Sequence, residues 1–239
     1  MNLIKGRENR IQIIDVLRGV SILLMVLYHF GFDLVEAGYI YPWVLYNPLL
    51  DTLQQVFAGL FIFLSGVSCR FSKHNIRRGV EFLLAAGIVT LMTWWIGTPI
   101  WFGILHFMGA AALLFGVFRK LIDKLPRGAA IVLWVVCFFV SVYARSLPIY
   151  VNSLFFLGFP GKGFYSADYF PLLPWIFVYL LGTVFGLYVA DGRLPKWFYE
   201  FDQPFFAACG RYTIWIYLFH QPVLMGVTYL VGLVRHLIW

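Results

Sequence analysis

Residues 10–33 read RIQIIDVLRGVSILLMVLYHFGFD, and the fold follows from this stretch. It is apolar enough to cross a bilayer, yet Asp15, Arg18, His29 and Asp33 lie in it or at its edge. An ionisable side chain at membrane depth costs several kcal/mol and usually marks a functional site. At about 100° per helical residue, Arg18 and His29 differ by roughly 20° around the axis, and Asp15 and Asp33 nearly coincide. The four groups therefore share one helix face. Two carboxylates, a guanidinium and an imidazole on one stripe need partners or water, so that face is predicted to line an interior cleft and to avoid lipid.

Composition extends this reading to the whole chain. Of 239 residues, 62% are hydrophobic, 20% aromatic and only 12% charged, and the mean hydropathy is +0.82. Soluble domains carry about 25% charged residues. The chain is therefore expected to be an all-α, polytopic transmembrane helical bundle lying in the lipid bilayer. Cys69, Cys137 and Cys209 sit on separate apolar segments and read as small buried hydrophobes, with no disulfide or metal site expected. The first segment has a basic leader, but its apolar run outlasts a signal peptide and has no small-residue cleavage site, so it is read as a retained helix.

About seven segments suffice to span the hydrocarbon, which takes roughly 20 helical residues: 11–34, 50–70, 80–98, 101–118, 128–145, 169–190 and 209–233. Segments three and four form a helical hairpin turning near Gly97, Thr98 and Pro99. No repeat or linker divides the chain, and residues 1–239 are read as a single domain. Lys and Arg set the topology. They precede segment one (Lys5, Arg7, Arg10), follow segment two (Arg70, Lys73, Arg77, Arg78), follow segment four (Arg119, Lys120, Lys124, Arg127) and lie between six and seven (Arg193, Lys196, Arg211). By the positive-inside rule the N-terminus is cytoplasmic and the C-terminus outside. The net charge of +7 is thus mostly topological, and no nucleic-acid partner is implied. Residues 146–168, aromatic and broken by proline and glycine, are predicted to form either a re-entrant or interfacial cap at the outer end or an aromatic interfacial belt.

Depth then groups the polar residues. A rise of 1.5 Å per residue puts Arg18 about 10 Å in from the cytoplasmic side and His29 about 27 Å in. Asp33, one turn beyond His29, is placed to accept its ring N–H and orient the imidazole. Segment four runs the other way and brings His106 to a depth of about 8 Å from outside, similar to His29. Segment seven brings His220 and Gln221 to mid-membrane or above, followed by Pro222, which disturbs the helix and frees a carbonyl. Asp51, Gln54 and Gln55 read either as pocket walls or as helix-end polarity. Bland readings stand beside these: an ion pair for Asp15 with Arg18, interhelical hydrogen bonds for His106 or His220, and simple solvation for His74 and His236.

The stretch IDVLRGVSILLMVLYHF resembles the first transmembrane helix of the bacterial relatives of heparan-alpha-glucosaminide N-acetyltransferase. Further similarity follows in the same order in VFAGLFIFLSGVSCRFSK, IWFGILHFMGAAALL, DYFPLLPWIFVYLLGTVFG and CGRYTIWIYLFHQPVL. The Arg18-x10-His29 pair also resembles that of the family-three membrane O-acyltransferases. The resemblance implies a multi-pass enzyme of the cell membrane, moving an acyl group, acetyl for this family, from cytosolic acyl-coenzyme A to an acceptor hydroxyl or amine outside. A glycan or other envelope molecule is the implied acceptor. In the animal lysosomal enzyme the expected active-site histidine sits in an outward loop, whereas residues 34–55 here contain none, which leaves His29 as the substitute and His106 second.

On that reading Arg70, Lys73, Arg77, Arg78 and Arg211 would hold the donor's phosphates, arginine suiting them through its planar fork. Asp15, Arg18, His29, Asp33 and His106 form the catalytic set. Asp51, Gln55, His220 and Gln221 line the acceptor side. His29 would act as general base, an imidazole having an ordinary pKa of about 6.5, or be transiently acylated. His106 or an N–H near Gly103 would stabilise the oxyanion. No metal is called for. The alternatives are a secondary transporter of a small solute, although no inverted repeat is visible, or a non-catalytic membrane scaffold. The exposed aromatic surface would also suit a homodimer.

Overall fold

The computed structural model describes residues 11–238. Lys5, Arg7 and Arg10, and the His236 side chain, lie outside the described residues. Among the described residues the regular elements are all helical. They are α1 (Gln12–Glu36), α2 (Pro48–Cys69), α3 (Asn75–Trp95), α4 (Ile104–Ile122), α5 (Arg127–Ser146), α6 (Leu172–Ala190), α7 (Lys196–Glu200), α8 (Pro204–Arg211) and α9 (Thr213–Ile238), with short 3-10 turns at Pro42–Val44 and Asn152–Leu157. Six of these, α1, α2, α4, α5, α6 and α9, are long and apolar enough to cross a membrane. The other long helix, α3, has 21 residues and corresponds to the third predicted segment, but starts five residues earlier, so that Arg77, Arg78 and Glu81 occupy its first turns. The polytopic helical bundle expected from the apolar runs is the fold observed.

The predicted seventh segment needs correction. It was expected to begin at residue 209, but Tyr212 leaves the helical region and separates α8 from α9. The physical reason is a close backbone contact. A Cβ at Gly210 would meet the Asp15 carbonyl, and one at Gly19 would meet the Phe206 carbonyl. Thus α8 must lie against α1 and cannot run on in line with α9; small residues permit this approach.

The chain divides into two compact units within α2 and after α6, Met1–Phe61 with Leu194–Trp239, and Ile62–Arg193. In the first, α1 packs against α8 and α9. In the second, α3 packs on α4 and α5 on α6, and a fully buried core forms around Tyr179, Phe107, Phe115, Ile62 and Val67. Gly66 there lies against the Tyr179 carbonyl and Gly182 against the Phe63 carbonyl. The hairpin between α3 and α4 turns at Gly97, whose φ of 83° favours glycine. Val132, Val136 and Phe139 on α5, like Phe219, Val223 and Leu230 on α9, are exposed, as lipid-facing residues of spanning helices are.

Residues 146–168 do not form a spanning helix. They fold as a cap on the start of α4. Ala167 N–H donates to the Pro99 carbonyl (3.1 Å), Phe170 N–H to the Phe102 carbonyl (2.7 Å) and Trp101 N–H to Ser166 Oγ (3.1 Å). Phe155 packs against Phe164, Phe156 and Phe102. The Tyr169 hydroxyl donates to the Phe155 carbonyl at 2.6 Å, and burial pushes this phenol above its ordinary value while the Arg145 charge pulls it down. The phenol therefore keeps the proton that makes the bond.

Candidate active site

Among the described residues, two polar centres are built on half-buried histidines, one in each unit. In the first unit the ionisable stripe of α1 turns towards α8 and α9. Asp15 is buried where α1 meets α8, and the Arg18 guanidinium lies 5.8 Å from the centre of the Phe61 ring. Further along α1, the His29 imidazole meets that of His220 on α9 edge to face, with centroids 5.1 Å apart. One turn on, Gln221 Nε2 donates to both carboxylate oxygens of Asp33, at 2.9 and 3.1 Å. Here the structure corrects the sequence reading. Asp33 was expected to orient His29, but its oxygens receive the Gln221 amide, and the His29 ring turns to a second imidazole.

His220 is held by its own helix. Its Nδ1 lies 2.6 Å from the Tyr217 carbonyl. A carbonyl only accepts, so Nδ1 carries the proton. In the neutral ring Nε2 then offers a lone pair, and this atom is buried without a hydrogen-bond partner. Pro222, inside α9, has no N–H for the Leu218 carbonyl one turn back. Gln221 Oε1 is likewise buried and unbonded. A half-buried imidazole beside a second imidazole with a fixed tautomer can take up a proton and pass it on.

The second centre surrounds His106. Its Nε2 lies 3.2 Å from Thr90 Oγ1, which itself donates to the Ile100 carbonyl at 2.6 Å. The Phe102 ring stacks on the imidazole at 5.8 Å. Asp168 Oδ2 accepts the Ile104 N–H at 2.9 Å, capping α4, so that this one amide beside Gly103 is already bonded. Thr90 and Asp168 went unrecognised in the sequence. The only local signal for Asp168 was its place in a Pro- and Gly-rich segment, because it caps a helix 64 residues away.

Other sequence candidates separate by burial. Arg70 was read as a ligand of the donor's phosphates; its side chain is 2% exposed, pairs with Asp123 at 2.5 Å and donates from Nε to the Thr183 carbonyl at 2.8 Å. Its guanidinium is spent on holding α2, α4 and α6 together. Lys73 and Arg77 are exposed, Arg77 pairing with Glu81. Arg78 lies 5.8 Å from the Phe82 ring, and Arg211 is exposed at the end of α8. Asp51 and Gln55 are exposed near the start of α2, and Gln54 is half-buried. Among the described residues no three His, Cys, Asp or Glu side chains gather as a metal-binding group.

Apolar helices long enough to span, one of them carrying an ionisable stripe, define a multi-pass membrane protein. The chain belongs to the family of heparan-alpha-glucosaminide N-acetyltransferase, catalytic, whose model matches residues 10–222, and it accordingly has a membrane acetyltransferase-type function. No curated protein and no solved structure matches it significantly.

Proposed function

We propose that the protein transfers an acyl group, acetyl by family, from acyl-coenzyme A at the cytoplasmic side of the cell membrane to a hydroxyl or amine on the outer side, with His29 as the base. A glycan or another envelope molecule is the acceptor class. The observation that carries this reading is the placement of His29 against His220 on the stripe that also bears Arg18. Along one continuous helix Arg18 and His29 are about 17 Å apart, comparable to a pantetheine arm. The donor's anionic end fits Arg211, exposed at the end of α8, the helix packed on α1 in the same unit. Arg70, committed to Asp123 and Thr183, is left out.

In the step itself the acceptor oxygen or nitrogen attacks the thioester carbonyl while His29 takes its proton. The C–S bond breaks, and the imidazolium returns the proton to the leaving thiolate. His220, whose Nδ1 proton is fixed by the Tyr217 carbonyl, steadies the His29 cation through its Nε2 lone pair. General-base assistance of this kind is worth about 10²–10⁴-fold in rate.

The test compares wild type and His29→Ala, purified in nanodiscs, for thermal stabilisation by acetyl-coenzyme A and for release of coenzyme A. Stabilisation of both proteins, with release only by wild type, is expected; ligand that binds the folded state raises its stability by mass action. Release by His29→Ala at the wild-type rate would sink the role of His29. A covalently acylated wild-type protein after rapid quenching would replace direct transfer by an acyl-histidine route. Absence of stabilisation by any acyl-coenzyme A would remove the donor.

A further inference from the structure

At one end of the second unit, where α2, α4 and α6 finish and α5 begins, a cleft of about 370 Å³ is lined by Arg70, Asp123 and Arg127 together with apolar groups such as Ile122, Val184 and Leu187. The charges around it do not balance. Asp123 is shared between Arg70 at 2.5 Å and Arg119 at 3.6 Å, and Asp191 between Arg127 at 2.6 Å and Arg193 at 3.5 Å. Two carboxylates therefore serve four guanidiniums, and Lys120 and Lys124 are exposed on the same turn of chain. A guanidinium has five donors; Arg70 spends its own on Asp123 and Thr183, while Arg119, Arg127 and Arg193 keep N–H groups to offer after their ion pairs are made. An anion is the missing partner.

The apolar part of the lining says what kind of anion. A free inorganic ion gains nothing from the Ile122, Val184 and Leu187 walls, whereas an amphiphile does. The cleft is near the small end of the range for ligand pockets, about 300–1,000 Å³, and so has room for a head group and not for a whole lipid or nucleotide conjugate. Beside it runs α5, on which Ile131 and Val135 are exposed in the turns after Arg127 and on its side of the helix, a path for acyl chains. Basic pockets between helices at the membrane surface are suited to such head groups.

We propose that this cleft binds an anionic phospholipid, its phosphate taken by Arg127, with Arg193 beside it on the shared Asp191, and its chains lying along α5. The site goes beyond acyl transfer and does not depend on it. It ties the lipid to the two ion pairs that join α2 to α4 and α5 to α6.

The full chain in neutral detergent, stripped of lipid, is titrated with phosphatidylglycerol, with phosphatidylcholine, and separately with inorganic phosphate and coenzyme A, following the unfolding midpoint and the lipids retained in native mass spectrometry. Stabilisation by phosphatidylglycerol well above that by phosphatidylcholine is expected. Arg127→Gln is expected to weaken phosphatidylglycerol binding about fivefold, the factor for one basic residue at a lipid surface. Asp191→Asn breaks the same ion pair but adds a positive charge, and should strengthen binding. If the two variants move affinity in the same direction, the effect is structural and the proposal fails. It fails too if both lipids stabilise equally, or if phosphate or coenzyme A reproduces the shift and Arg127→Gln abolishes it, which would assign the cleft to a soluble phosphate.

Discussion

Asp33 on α1 accepts both of its side-chain hydrogen bonds from the Gln221 amide on α9, at 2.9 and 3.1 Å. The amide orientation follows, since its oxygen cannot face a carboxylate. Gln221→Leu removes the donor and leaves a half-buried charge. A hydrogen bond to a charged group is worth about 1.5–3 kcal/mol, and a loss of stability of that order, read as a lower unfolding midpoint in detergent, is expected. Gln221→Glu, which sets two carboxylates together, should lower it further. A Gln221→Leu protein that unfolds with wild type would show that water replaces the amide at no cost.

His220→Phe keeps a ring against His29 and removes both nitrogens. Release of coenzyme A should fall by about 10²-fold, the lower range for acid–base assistance, with the unfolding midpoint little changed. Wild-type turnover in this variant would reduce His220 to packing.

Much of the bundle was legible because spanning helices need long apolar runs and because the hairpin at Gly97 carries its own turn residue. The ionisable stripe of α1 was legible for the same reason, since helical periodicity fixes which side chains share a face. Its partners were not. His29 and His220, like Asp33 and Gln221, come from opposite ends of the chain, and no local pattern pairs them. Arg70 misled for a related reason. An arginine closing a spanning helix looks like a positive-inside residue, and only the convergence of Thr183 and Asp123, 113 and 53 residues away, buries it. The break before α9 likewise depends on the Gly210 contact with α1.

Asp191, just beyond α6, carries a pH signature. The hydrogen bond and charge of Arg127 hold its carboxyl below the usual carboxylate range. A depressed folded-state pKa contributes stability that is present above the ordinary carboxylate pKa and is lost as pH falls through the folded value. Stability of wild type should therefore decline below about pH 4 more steeply than that of Asp191→Asn. Parallel curves for the two proteins in acid would refute the coupling.

Arg70→Met takes the guanidinium donor from the Thr183 carbonyl and leaves Asp123 with Arg119 alone. Removing one partner of a fully buried pair costs about 3–5 kcal/mol; because the Asp123 side chain is 38% exposed, a loss nearer 2 kcal/mol is expected. Arg70→Lys should recover little, since one ammonium cannot reproduce the fork that reaches both α4 and α6. Full rescue by lysine, measured by thermal unfolding, would reduce the contact to simple charge pairing.

Thr90 decides the tautomer of His106. Its hydroxyl proton goes to the Ile100 carbonyl at 2.6 Å, so its oxygen can only accept from His106 Nε2 at 3.2 Å. Neutral His106 is then protonated on Nε2 and presents its lone pair at Nδ1. Thr90→Val keeps the shape of the side chain and removes both bonds; Thr90→Ser keeps both. In protein labelled with nitrogen-15 at histidine, wild type and Thr90→Ser should show the Nε2-protonated form of His106, and Thr90→Val a mixture. The valine variant should also unfold earlier by about 1 kcal/mol, the worth of one ordinary hydrogen bond, as the tie between α3 and the start of α4 is lost. An unchanged tautomer in Thr90→Val would mean that the stacked Phe102 ring and the helix backbone, and not the threonine, orient this imidazole.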